Sequence, residues 1–160
     1  MKMENFNKEK CLELLEEKRL IEKKFNTSLE NYDSKKYYEL MDQLSYVVDY
    51  FVWKFSFSNY FELFTNYKNQ LINSETFIDE FFFLFNKDKK RIENFDLNSE
   101  IIKTLNFNYK CIGLMRFLDN ISIQFDLFDP EPSNKLVYHI NEEEFEIYFN
   151  QIYNRIKSFK

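Results

Sequence analysis

Between residues 37 and 55 apolar side chains fall at Tyr37, Leu40, Met41, Leu44, Val47, Val48, Phe51 and Phe55, the cleanest stripe of 3.6-residue period in the chain. A strand would need alternation at every second position, so this segment constrains the chain to helix and demands a partner for the apolar face. Before it, Cys11, Leu14, Leu15, Ile21 and Phe25 repeat at helical steps over roughly 5–25, with Glu and Lys between them on a solvated face. Residues 31–34 form a break in which Asp33 or Ser34 can cap the next helix.

After Phe55, SFSN at 56–59 predicts an interruption, with Ser58 capping a shorter helix that carries Tyr60, Phe61, Phe64, Tyr67 and Leu71. Asn73-Ser74 opens another helix, in which FIDEFFFLF (77–85) is apolar nearly all round and so is expected in the middle of a bundle. Glu75 and Asp79 near its start and KDKKR (87–91) near its end suit the helix dipole, and the basic run reads as a solvated helix end. A polar loop over 94–99 leads, with Asn98 or Ser99 as cap, into Ile101, Ile102, Leu105, Tyr109, Ile112, Met115 and Leu118, one helical repeat continuing through the single glycine, Gly113. ISIQFDLF then reads as a strand-like stretch or a frayed helix end. Pro130 and Pro132 force an extended loop, and LVYHI is expected to be briefly extended. Asn141 with Glu144 forms a near capping box for a last helix with Phe145, Tyr148, Phe149, Ile152 and Ile156 on its apolar face.

The expectation is an all-α fold: a single-domain antiparallel bundle of five to six helices over 1–160, with N-terminal helices in 1–65 and a second helical region in 66–160. Aromatic residues make up 20% of the 160 residues, far too many for a disordered chain. There is no alanine, one glycine, two prolines, and four arginines against eighteen lysines. Residues with AT-rich codons dominate, which points to an AT-biased genome such as that of a plastid, a mitochondrion or a low-GC bacterium, and accounts for much of the phenylalanine. The charged start MKMENFNKEKC carries no apolar targeting core and no window reaches the length of a membrane span, so the expected setting is cytoplasm or organelle stroma or matrix.

Chemistry is sparse. His139 is the only histidine, Cys11 and Cys111 lie a hundred residues apart without metal-ligand spacing, and no EXXH or HEXXH occurs. A single glycine excludes a glycine-rich phosphate loop. No catalytic, metal or cofactor residue is therefore assigned, and the expectation is a protein that is not an enzyme. A net charge of −5 argues against nucleic acid as partner. The charge is uneven: residues 119–146 hold Asp119, Asp126, Asp129, Glu131, Glu142, Glu143, Glu144 and Glu146 against Lys135 alone. The helix dipole explains acids in the first turn of the last helix, but not those in the loop before it.

The order of features in 69–158 carries a resemblance. NQLINSETFIDEFFFLF is followed by a helix ending LDNISIQF, the acidic loop DLFDPEPSNKLVYHI and a helix opening NEEEFEIYFNQI. This resembles the small immunity proteins of the colicin D type, helical bundles without enzymatic activity whose acidic residues block the basic active site of a transfer-RNA-cleaving toxin. The resemblance implies a basic protein partner and a binding surface made of Asp119, Asp126, Asp129 and Glu131 with Glu142, Glu143 and Glu144. The N-terminal sixty-odd residues depart from the compact members of that family. A different reading of the same chain is a structural subunit of a larger, organellar assembly, packed through the aromatic-rich helices around Tyr60–Phe85.

Overall fold

The computed structural model describes residues 5–130 and 139–160, and over these the chain is all helical. Five long helices carry the fold: α1 (Lys8–Phe25), α3 (Ser34–Lys68), α4 (Ser74–Glu93), α6 (Leu114–Asp126) and α7 (Glu142–Ile156). Two short ones, α2 (Leu29–Tyr32) and α5 (Ser99–Thr104), serve as connectors. Single 3-10 turns occur at Tyr109–Cys111 and Lys157–Phe159.

Short polar side chains set most boundaries. Asn7, Ser28, Asp33, Asn73, Asn98 and Asn141 each accept a backbone N–H in the first turn of the helix they precede. Asn141 and Glu144 complete the expected capping box. Asn26, at φ 49°, closes α1 in the left-handed conformation that asparagine tolerates.

Two expectations on helix boundaries are corrected. SFSN does not interrupt α3, which runs unbroken for 35 residues, roughly 50 Å at 1.5 Å per residue. The reason is burial: Ser56 and Phe57 face inward, and the Ser56 hydroxyl donates to Asp88 at 2.6 Å. The repeat over 101–118 is not one helix. α5 ends at Thr104, and Gly113 stands at φ 84°, left-handed, as the residue before α6. Of that repeat, Ile102, Leu105 and Leu118 are buried on the two sides of the break, whereas Tyr109 is exposed, so the spacing does not mark one helical face. ISIQFDLF is helical as far as Asp126 rather than strand-like. Of LVYHI, only His139 and Ile140 lie within the described residues.

The interior has two apolar clusters that α3 threads in turn. Its first half packs with α1, α2 and α5 around Cys11, Leu14, Leu29, Leu40, Val47 and Ile102. Its second half joins α4, α6 and α7 around nine buried phenylalanines, among them Phe64, Phe77, Phe81, Phe125 and Phe149. The aromatic excess is thus largely housed in the protein's own core. Phe83 is the exception within FIDEFFFLF: it is 70% exposed, so α4 has one solvated edge instead of being enclosed all round.

Ring contacts fix the directions of the second cluster. Phe64 meets Phe77, Phe81 meets Phe125, Phe125 meets Phe145 and Phe117 meets Phe159, so α3, α4, α6 and α7 alternate up and down. One end of this bundle therefore gathers the N-termini of α4 and α7 with the C-termini of α3 and α6.

Candidate functional site: the acidic end of the bundle

The connection from α6 to α7 is pinned where it leaves and where it returns. The Asp129 N–H donates to the Ile140 carbonyl and the Ile140 N–H to the Leu127 carbonyl, each at 2.9 Å. Phe128 lies 5.0 Å from Phe145, ring to ring. This clasp brings Asp126 and Asp129 beside the first turn of α7, where Glu142, Glu143 and Glu144 project. Five of the seven sequence-assigned acids are thereby gathered at one end of the bundle. Glu131 lies outside the described residues.

Asp119 does not belong to that group. It stands seven residues before Asp126, about 10 Å back along α6, and pairs with Lys89 of α4 at 3.1 Å. Its charge is locally offset by that lysine.

The five gathered acids differ in what the fold already asks of them. Glu144 accepts the Asn141 N–H in the capping box at 2.8 Å. Glu142 accepts the hydroxyl of Ser74, the first residue of α4, which ties the two helix starts together. Asp129 pairs with His139, whose Nδ1 lies 3.4 Å from a carboxylate oxygen, and both are largely shielded from solvent. Beside them Glu146, exposed on α7, accepts the Tyr67 hydroxyl at 2.9 Å. Burial, with the neighbouring Glu146 carboxylate, pushes the Tyr67 phenol well above its ordinary range, so it remains a donor.

Asp126 and Glu143 are different. Both are exposed, and neither has a hydrogen-bond or ion-pair partner among the described residues. Glu143 at least sits in the first turn of α7, where the helix dipole welcomes a carboxylate. Asp126 is the last residue of α6, where the dipole's negative end disfavours one, and that last turn contains no base.

His139 approaches Asp129, and no group of three or more ligating side chains occurs among the described residues. Cys11 and Cys111 are buried and unbridged, and burial pushes their thiols to about 11 and about 12. Both stay protonated at neutral pH, so neither is poised as a nucleophile.

Sequence reading missed two buried acids. Asp49 of α3 is 6% exposed and accepts the N–H groups of Gly113 and Met115, both at 2.8 Å, so a side chain 64 residues away caps α6. Burial raises its pKa, an effect only partly offset by those two N–H groups. Asp88 of α4, 3% exposed, accepts hydroxyls from Ser56 and Tyr60 and lies 3.7 Å from Arg91. The signal for Asp49 was a carboxylate inside an otherwise apolar stripe; Asp88 was hidden by the lysines around it. Both hold helices together and neither reaches the acidic end.

Among the described residues no helix is long and apolar enough to cross a membrane. Compared with family models, curated proteins and solved structures, the chain matches none.

Proposed function

We propose that this protein is a non-enzymatic binding module that offers the acidic end of its bundle to a basic protein, in the manner of immunity proteins that cover the cationic active site of a transfer-RNA-cleaving toxin. The observation that carries the reading is Asp126. An exposed carboxylate at the negative end of a helix, with no partner among the described residues, weakens the fold by about 0.3–1 kcal/mol, and it lies at the same end of the bundle as Glu143, which likewise has none among them. Acids without a partner among the described residues are accounted for by a surface that a cation meets. Clustered like charge of this kind speeds encounter with a partner of opposite sign and makes binding strongly salt-dependent.

In the test, wild-type protein and an Asp126→Asn/Glu143→Gln variant are compared as bait at low and moderate salt, with captured proteins identified by mass. The proposal expects a basic protein on the wild type alone, released as salt rises. Identical capture by both baits contradicts it.

A second reading, a subunit packed into a larger assembly, is supported by Phe83 and Leu71, each 70% exposed at the α3–α4 side of the molecule. Light scattering on the isolated chain separates the two. A monomer that stays soluble at high concentration speaks against the assembly reading, and concentration-dependent association lost in Phe83→Ser speaks for it.

A further inference from the structure

Phe83 stands in the middle of the solvated edge of α4, 70% exposed. At about 100° per residue, the exposed side chains that share this edge are Asp79 and Glu80 in the turn before Phe83, and Lys87 and Lys90 in the turns after it. Acids therefore lie on one side of the ring and bases on the other. None of the four has a hydrogen-bond or ion-pair partner among the described residues, whereas Lys89 and Arg91, on other faces of the same helix, meet Asp119 and Asp88. Glu80 and Lys87 are seven residues apart, roughly 10 Å along the axis, too far to pair with each other. The four-residue step that pairs charges within a helix leads instead from Asp79 to Phe83 and from Glu80 to Leu84.

Beside Phe83 an open groove runs between α3 and α4, lined by Leu63 and Leu84 with the carboxamides of Asn59 and Asn66. A single exposed phenylalanine is ordinary; the arrangement of charge about this one is not. A two-fold axis crossing α4 at the level of Phe83 lays a second α4 antiparallel on the first. It brings the two Phe83 rings together, sets Glu80 against the second copy's Lys87 and Lys87 against its Glu80, and turns Asp79 toward its Lys90. A parallel pairing would set like charge on like. An edge with as many acids as bases offers no net attraction to a nucleic acid or an anionic membrane surface, so the occupant its charges fit is another edge of the same pattern.

We infer that this edge of α4 is the interface of a weak, two-fold symmetric dimer, with a second copy of this chain as its occupant. The inference goes beyond the acidic-end proposal; it rests on the assembly reading and gives that reading a partner and a geometry. Covering both Phe83 rings supplies the attraction, and the crossed charge pairs fix the antiparallel direction. A contact made by one helix edge is at the small end of specific interfaces, so association belongs to high protein concentration.

Sedimentation equilibrium of the full chain from about 10 μM to about 1 mM tests the inference. The wild type is expected to pass from monomer to dimer and to stop there, since a two-fold contact closes on itself. Phe83→Ser should remain monomeric. Glu80→Lys and Lys87→Glu, both at exposed positions, should each weaken the dimer about tenfold, because either change sets like charges together at both symmetry-related contacts. Mixed in equal amounts, the two charge-reversal variants should recover wild-type association, since every like-charge contact becomes an opposite-charge one in the mixed pair; recovery also shows that both are folded. A wild type that stays monomeric throughout overturns the inference and counts against the assembly reading with it. Association that is lost in Phe83→Ser but indifferent to both charge reversals, or that mixing fails to restore, overturns the inference and leaves the assembly reading standing. Because Asp126 and Glu143 are untouched, every outcome leaves the acidic-end proposal to its own test.

Discussion

Asp126, Glu143 and Asp49 show how differently a carboxylate can stand in one small bundle. Asp126 works against its helix, so Asp126→Asn should raise the unfolding free energy by about 0.3–1 kcal/mol in urea titration, while weakening capture of a basic partner. A stabilised variant that binds less is the signature of a residue kept for its surface. Asp49 works for its helix. Asp49→Ala strands the N–H groups of Gly113 and Met115 and should cost about 1–3 kcal/mol. The pH dependence has a defined sign. Because burial raises the folded-state pKa of Asp49 above its unfolded value, the folded state holds the proton more tightly, and the contribution of this group declines as pH rises from the ordinary carboxylate range through that raised value. The gap between wild type and Asp49→Ala should therefore be widest at acid pH and narrow toward neutrality, as read by urea midpoints across a pH series.

The helices themselves make sharper tests. If α3 were broken at SFSN with Ser58 as cap, proline at 59 would fall on a first helical position and be tolerated. In the unbroken helix Asn59→Pro removes an interior hydrogen bond and should cost about 3 kcal/mol or more, visible as a lost or sharply lowered thermal transition. At the α3–α4 turn Gln70 stands at φ 59°, a left-handed position that favours glycine, and Leu71 N–H reaches back to the Asn66 carbonyl. Gln70→Gly should raise the melting temperature, by about 1 kcal/mol in stability. These particular residues also mark what sequence could and could not convey. The cap at Asn141 was legible, Asn98 was one of two candidates and the break at Asn73-Ser74 was seen, because capping is local chemistry. Ser56 looked like a break because its hydrogen bond to Asp88 is 32 residues away in sequence, and Gly113 looked like a helix interior because apolar spacing continued across a turn. The acidic segment was legible as composition; that Asp119 is paired by Lys89 while Asp126 has no such partner among the described residues required three-dimensional contacts.

At the scale of the molecule, charge is sorted along the bundle. Glu75 and Asp79 of α4 and Glu142–Glu146 of α7 lie toward the end that also bears Asp126 and Asp129, whereas Lys87, Lys89, Lys90 and Arg91 of α4 and Arg155, Lys157 and Lys160 lie toward the other. Since α3 and α6 run against α4 and α7, helix dipoles largely cancel at each end, and the sorting of side chains remains as the net field. The proposed protein-binding role of the acidic end is open to direct test. The most direct measurement is affinity capture from the protein's native compartment with wild type and Asp126→Asn/Glu143→Gln as parallel baits, followed by a salt titration of any captured protein. A basic protein retained by the wild type, lost from the variant and released with a steep salt dependence is the predicted result. Equal retention by both baits, or retention indifferent to salt, would contradict it.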